Sequence, residues 1–515
     1  MSKIKIYIGL LSFLVVPAKL MAVTKDEKPN IIIILADDLG YADVKWNNPK
    51  AYAETPNLDR LAANGAILTD CYSSSAMCSP SRAGLLTGRV PTRIGIHDWI
   101  KEIYKKPQSN IHLPGSEITI AEQLKTAGYK TAVFGKWHLN NELRSGNHSD
   151  PDDQGFDNWC CTATHALPSH RNPDNFVENG IPLGRLGNAA HPLFACEIVA
   201  NKAIEWLEKQ EESEPFFLYL PFQEAHVVCD APDSIKQKYL ERIATGEIPL
   251  NNASGANGLG QAEYYGCIEN MDIAVGRIVT ALRENGLLDN TIILFSSDNG
   301  PDTNRRYQGR LQSVGETGIF RGRKRWLLEG GIRQASFIWW KGVIEPGTVY
   351  NNPVGHVDFL PTLCQLAGAR VSKDRVIDGC SLVPLLEGKS FDRKDKSLHW
   401  HFHCPYGGPQ TVLREGNWVI TASWDQQFKR GRFDTTFIAG IKNAVLNDFS
   451  LFKIDEDPGQ LHDVKSKYPK EYNQLKQKII DVHDGVKKEC PNGSLFQWNE
   501  DLQRIVDEKY KDIAD

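Results

Sequence analysis

The sequence predicts an α/β protein: a large mixed, mostly parallel sheet flanked by helices, followed by a smaller C-terminal α+β subdomain with an antiparallel sheet. Three features predict it. Ile31-Ile32-Ile33-Ile34-Leu35-Ala36 is a continuous apolar run, the pattern of a strand buried on both faces of a parallel sheet. Strand-like and helix-like segments alternate through residues 23–384, as in a domain wound around such a sheet. From residue 385 the pattern changes to short alternating strands, so residues 385–515 are expected to form the second unit. At 515 residues, 41% hydrophobic and 24% charged, the chain has ample material for two units with their own cores.

Taken in order, residues 1–22 read as a secretory signal. Lys3 and Lys5 give a positive start, Ile6 to Val16 form an apolar stretch too short to cross a bilayer, and Leu20-Met21-Ala22 is a cleavage site. No other apolar run is long enough for a membrane helix, so a periplasmic or secreted chain without a membrane span is expected. The first strand ends in Asp37-Asp38-Leu39-Gly40, carboxylates at the end of a central strand, where open α/β sheets bind ligands. Residues 55–61 look like a capped helix start, and residues 66–70 a short strand leading to Cys78. Residues 117–127 form an amphipathic helix closing at Gly128, and residues 130–134 a strand followed by Gly135-Lys136-Trp137-His138. Two apart on extended chain, Lys136 and His138 face the same side. Residues 140–192, rich in Asn, Asp, His, Pro and Gly, are expected to form a long irregular loop over the mouth of the site, carrying His165, His170 and Arg171.

Further on, residues 194–209 read as a helix and residues 215–220 as a strand, followed by Pro221-Phe222-Gln223-Glu224-Ala225-His226. A long helix spans residues 264–285, and a central strand over residues 290–297 ends in Asp298-Asn299-Gly300. Lys324 stands five residues before Glu329-Gly330-Gly331-Ile332-Arg333, residues 336–340 look like a strand, and His356 opens a helical segment. In the C-terminal part, strands are expected over residues 411–414, 418–421 and 449–454, with a final helix over residues 468–487.

The chain is organised around Cys78-Ser79-Pro80-Ser81-Arg82-Ala83-Gly84-Leu85-Leu86-Thr87-Gly88. Proline favours the first position of a helix, so Cys78 is expected at or next to a helix N-terminus, where free N–H groups and the helix dipole favour negative charge. Arg82 lies one turn on. The stretch resembles the C-x-P-S-R-x-x-x-L-T-G signature of the type I sulfatases of the alkaline phosphatase superfamily. The Asp-Asp after the first strand, Gly135-Lys136-Trp137-His138, the segment ending in His226, Ser297-Asp298-Asn299-Gly300 and Lys324 with Glu329-Gly330-Gly331 follow in that family's order over roughly residues 29–465. Two departures stand out: Ala225 precedes His226 where the family has proline, and Gln334 follows Arg333 where the family has proline.

The resemblance implies an alkaline phosphatase-like fold and a defined chemistry. A maturase converts Cys78 to 3-oxoalanine (formylglycine), whose hydrate is the nucleophile. Asp37, Asp38, Asp298 and Asn299, with position 78, hold one cation. Their all-oxygen set suits Ca²⁺ or Mg²⁺, and the family implies Ca²⁺. Asp298 lies near the nucleophile as base, and His226 is the candidate acid toward the leaving sugar oxygen. His138 takes the proton of the second hydroxyl. Arg82, Lys136 and Lys324 bind the hydrate and the sulfate. Sugar contacts are expected from His165, His170 and Arg171, and from His401 and His403 at the start of the C-terminal unit. The substrate implied is a sulfated carbohydrate, with galactose or N-acetylgalactosamine sulfate as the first expectation. Two alternatives stay open: a phosphodiester or phosphonate monoester hydrolase of the same superfamily, and a sulfated-glycan binder without turnover. A net charge of −5 and the lack of any basic, aromatic-studded stripe exclude a nucleic-acid partner.

Overall fold

The computed structural model describes residues 28–100, 112–144, 149–302, 311–393, 396–408, 410–428 and 435–491, and the signal expected over residues 1–22 lies outside them. The architecture grows from β1 (Asn30–Ala36), every residue of which is buried. Its side chains alternate between two cores. Ile32, Ile34 and Ala36 join one apolar cluster, and Ile31, Ile33 and Leu35 join the other. A run without polar residues is therefore what a strand covered on both faces requires.

In chain order, α1 (Pro56–Ala63), β2 (Ala66–Leu68), β3 (Cys71–Tyr72), α2 (Cys78–Thr87), α3 (Ile120–Thr126), β4 (Lys130–Lys136) and β5 (Asn158–Thr162) follow. Next come β6 (Val177–Glu178), β7 (Ile181–Pro182), α4 (Ala195–Leu207), β8 (Phe216–Pro221), α5 (Asp233–Ala244), α6 (Leu259–Glu284) and β9 (Thr291–Ser297). The larger sheet and its helices close with α7 (Glu329–Ile332), β10 (Arg333–Gln334), β11 (Phe337–Trp340), β12 (Thr348–Tyr350), β13 (Val354–Gly355), α8 (Phe359–Ala367) and α9 (Val383–Leu386). Ten strands make one sheet in the order β12-β2-β11-β9-β1-β8-β4-β5-β6-β7. The central strands β9, β1, β8, β4 and β5 are parallel, and β11 runs antiparallel to β9. Helices α1, α4 and α6 cover one face with residues such as Leu58, Val199 and Ile278, and α2, α3 and α8 cover the other with Leu85, Leu124 and Leu363.

The C-terminal unit is a four-stranded antiparallel sheet, β14 (Leu398–Phe402), β15 (Gln410–Glu415), β16 (Trp418–Trp424) and β17 (Leu446–Lys453), in sequential order. With it go α10 (Thr435–Asn443) and α11 (Pro469–Glu489). Leu475 and Ile479 of α11 pack on Leu413, Ile420 and Leu451 on one face of this sheet. The other face, through Trp400, Phe402, Val412 and Val419, packs on Tyr72, Met77 and Ile332. The small sheet thus buttresses the segment that leads into Cys78.

Three expectations are corrected. Residues 140–192 are not one irregular loop, because β5, β6 and β7 extend the main sheet from within them. Pro80 is the third residue of its helix rather than the first, since α2 already begins at Cys78. Lys136 is the last residue of its strand and His138 has a φ of 55°, so the two do not share an extended chain. Helix α5 carried no expectation at all. Most of its surface is polar, and Tyr239 and Ile243 are its buried residues.

Candidate active site

Four neighbouring parallel strands deliver the site. Ala36 of β1 pairs with Ser297 of β9, so the next residues of each strand, Asp37 and Asp298, emerge side by side. On the far side of β1, β8 ends at Pro221 and leads to His226, and β4 beyond it ends at Lys136. These carboxyl ends form the crevice where open α/β sheets bind ligands. Cys78 enters as the first residue of α2, after Met77 in extended conformation as N-cap. One ligand atom each from Asp37, Asp38, Cys78 and Asp298 lies within 4.8 Å of the others, all buried.

The charges around this cluster interlock. Arg82 Nε and Nη2 donate to Asp298 Oδ2 at 3.0 and 2.7 Å, and Nη1 donates to the Lys136 carbonyl at 2.7 Å. Lys136 Nζ donates to Asp37 Oδ2 at 2.5 Å. Lys324 Nζ donates to both oxygens of Asp38 at 2.6 and 2.7 Å. Asn299 Nδ2 donates to Asp38 Oδ1 at 2.6 Å. His226 Nε2 stands 3.8 Å from Asp38 Oδ2, and its Nδ1 faces the Val227 carbonyl. His138 Nε2 lies 3.1 Å from the Ile100 carbonyl, while its Nδ1 has no hydrogen-bond partner among the described residues.

Burial dominates the protonation of the site. It raises Asp38 and Asp298 above the usual carboxylate range, with neighbouring carboxylates adding to the shift. Burial pushes the Cys78 thiol up to about 12, so the encoded side chain is a neutral thiol. Burial, then the charges of Lys136 and Arg82, hold His138 well below its ordinary value, leaving it a neutral base. Two buried oxygens, Asp37 Oδ1 and Asn299 Oδ1, have no hydrogen-bond partner among the described residues. A hard cation fits this donor set: it gives both oxygens a partner and offsets the repulsion among three buried aspartates.

A family model described as Sulfatase matches residues 29–369. The chain belongs to the type I sulfatase family. A second model, N-sulphoglucosamine sulphohydrolase, C-terminal, matches residues 315–485 of this sulfatase. Arylsulfatase A of Homo sapiens is 34% identical over 386 residues, spanning 70% of this chain and 68% of the relative. N-acetylgalactosamine-6-sulfatase of Mus musculus is 32% identical over 469 residues, spanning 86% of this chain and 83% of the relative. The crystal structure of Ps i-CgsB shares the fold, with a TM-score of 0.74 at 24% identity over 93% of this chain and 97% of that one. The protein is accordingly a sulfuric ester hydrolase, and among its described residues no helix is long and apolar enough to cross a membrane.

Of the residues expected at the sugar, the sulfatase brings one to the cluster: the His165 ring stacks on His226 with centroids 5.3 Å apart. The others have partners elsewhere. His170 is buried against Glu224 Oε1 at 3.4 Å and Cys267 Sγ at 3.2 Å. Arg171 pairs with Asp230 and Asp233 at 3.0 and 2.6 Å. His401 Nε2 lies 3.0 Å from His399 Nδ1, and His403 packs edge-on against Phe437 at 4.7 Å. Sequence reasoning missed Asp302, a buried carboxylate whose charge acts on both Asp38 and Lys324. Its signal was available, since it lies four residues after Asp298 in the segment that follows β9.

Proposed function

We propose that this sulfatase hydrolyses sulfate monoesters of a carbohydrate in the periplasm or outside the cell, with position 78 matured to formylglycine and one Ca²⁺ bound. The observation that carries the reading is the convergence of Asp37, Asp38, Asp298 and Asn299 on position 78, flanked by Lys136 and Lys324. Asp37, Asp38, Asp298, Asn299 and the residue 78 oxygen would hold the cation, which supplies Lewis-acid charge beside the sulfate oxygens. The matured side chain would supply a gem-diol oxygen as nucleophile at sulfur.

The chain's own residues do the rest. Lys136 and Lys324 supply positive charge where the sulfate's oxygens are bound, the preorganised electrostatics that ester cleavage needs. Arg82 fixes Asp298 through two hydrogen bonds to one oxygen, leaving its other oxygen toward Asp38. His226 donates a proton to the departing sugar oxygen, with His165 stacked against it. Neutral His138 accepts a proton near position 78. Galactose or N-acetylgalactosamine sulfate is the first substrate to try, supported by the likeness to N-acetylgalactosamine-6-sulfatase.

The test is mass analysis of the tryptic peptide spanning residues 61–82, combined with sulfate release from a panel of sulfated sugars. An aldehyde in place of the Cys78 thiol, with release that stops on chelation and returns with Ca²⁺, is expected. Full turnover by a Cys78→Ser variant would sink the mechanism, because serine carries no second hydroxyl for expelling sulfate.

A further inference from the structure

Arg325 follows the sulfate-binding lysine of the proposed site and has no role in it. Its residue is 4% exposed, yet its Nε has no hydrogen-bond partner, and no ion pair is formed by its guanidinium among the described residues. A buried, unpaired charge is costly. What covers this one is aromatic. Its Cζ lies 4.2 Å from the Trp99 ring centroid and 5.9 Å from that of Tyr406. Stacking on rings leaves a guanidinium's in-plane N–H fork available, the geometry that takes a planar or tetrahedral oxyanion through two hydrogen bonds.

The backbone holds Arg325 there deliberately. Its φ is 73°, a conformation few side chains other than glycine adopt. Its N–H donates to the Ala76 carbonyl at 2.9 Å, and its carbonyl accepts from the Tyr406 N–H at 2.9 Å. Ala76 lies two residues before Cys78. On the other side of the stack, Ile100, next to Trp99, donates its N–H to Ser79 Oγ at 3.0 Å, and its carbonyl faces His138 Nε2. The Arg325–Trp99 stack is therefore built from the segments that carry Cys78, His138 and Lys324. Tyr406 adds the C-terminal unit, packing on Trp326 with centroids 5.6 Å apart.

We propose that Arg325, stacked on Trp99 and Tyr406, is an anion subsite beside the catalytic cluster that recognises a second oxyanion of the substrate. The oxyanion is a further sulfate ester or a uronate carboxylate on the sugar bearing the cleaved sulfate or on its neighbour. The proposal rests on the sulfatase reading and names the substrate class within it: polyanionic glycans rather than isolated neutral sugar sulfates. Aromatic stacking also gives the subsite a sugar-facing rim.

The experiment compares wild type, Arg325→Gln and Arg325→Lys on three N-acetylgalactosamine sulfates that share the cleaved sulfate. One is otherwise neutral, one carries a second sulfate, and one is linked to a uronic acid. The ratio of kcat/KM on each anionic probe to that on the neutral probe is read. Arg325→Gln is expected to lower that ratio at least tenfold, mainly through KM, for the second sulfate, the uronate or both, which identifies the oxyanion source. Arg325→Lys is expected to restore part of it. An equal loss on all three probes, the outcome of a merely structural arginine, overturns the proposal, as does no loss on either anionic probe. Calorimetric binding of the same probes to Cys78→Ser protein, with and without Arg325→Gln, separates the two readings. Arg325-dependent binding without sulfate release by matured wild type would retain the subsite and remove the sulfatase chemistry.

Discussion

In the proposed reaction, His226 is the residue whose task most depends on the substrate. An alkoxide leaving from a sugar is a poor leaving group, so a proton delivered in the transition state matters, whereas an activated aryl sulfate departs without one. His226, proposed as that acid, lies 3.8 Å from Asp38 and stacks on His165. His226→Ala should therefore lower kcat/KM for a sugar sulfate by about 10²–10⁴-fold, the ordinary contribution of general acid catalysis, while an activated aryl sulfate loses far less. Equal losses on both classes would assign His226 to sulfate binding instead. Arg82 answers to a different logic. Fully buried and bonded to Asp298 and the Lys136 carbonyl, it neutralises carboxylates that burial already destabilises as anions. Its removal leaves an uncompensated buried charge, which costs stability as well as turnover.

At the scale of elements, the site depends on how closely two turns approach. Gly300 follows Asn299, a proposed cation ligand, and its N–H donates to the Gly331 carbonyl at 2.9 Å. A Cβ at Gly300 would stand 2.1 Å from the Gly330 carbonyl oxygen, with backbone rather than a flexible side chain in the way. Gly300→Ala must push the turn after β9 away from the segment that carries Lys324. We expect a loss of about 1–3 kcal/mol in stability from overpacking, together with a weaker Ca²⁺ requirement curve shifted to higher concentration. Thermal unfolding with and without Ca²⁺ measures both, and an unchanged calcium midpoint would mean the turn moves without disturbing Asp298 and Asn299. The same scale explains what could be read from sequence. The central strands were legible because burial on both faces writes an unbroken apolar run, as in Ile31 to Ala36, and Asp37, Lys136 and Asp298 of the proposed site lie at or directly after the ends of such strands. Strands β5 to β7, which lead to one edge of the sheet, were not, since Asn158-Trp159-Cys160-Cys161-Thr162 is short and set among loop-forming residues. Helix α5 was legible but passed over: Ile235, Tyr239, Leu240 and Ile243 recur at helical spacing and pack on the core, within an otherwise charged segment. Arg325 escaped for another reason: that its guanidinium has no ion pair among the described residues is a property of what surrounds it in space.

For the whole molecule, the C-terminal unit brings its own acid sensitivity. His483 of α11 is buried, with Nδ1 3.0 Å from Thr411 Oγ1 on β15 and 3.3 Å from His401 Nδ1, and Nε2 3.3 Å from the Ala444 carbonyl. Burial, reinforced by the charge of Lys487, lowers His483 to about 4 from 6.5. His356, buried beneath the main sheet with Nε2 2.7 Å from Ser296 Oγ, is lowered to about 3 by burial alone. Both are neutral when folded and take up protons when unfolded, so the unfolded state binds more protons below pH 6.5. Their contribution is complete above that value and is lost as pH falls from 6.5 toward 4 and 3. Linkage puts the loss from each at about 2 kcal/mol on going from pH 7 to pH 5. Buried carboxylates act in the opposite sense over the same range. Burial raises Asp272 and Asp150 to about 6, so the folded state gains protons there first. The wild-type profile is the sum of these effects, and a difference measurement isolates one of them. His483→Gln keeps a hydrogen-bonding side chain but cannot titrate. Urea unfolding of wild type and His483→Gln, with Ca²⁺ held constant, should show the variant losing about 2 kcal/mol less between pH 7 and pH 5. Parallel profiles would mean that His483 becomes protonated within the folded protein, and the acid sensitivity of the C-terminal unit would then have to come from its neighbours.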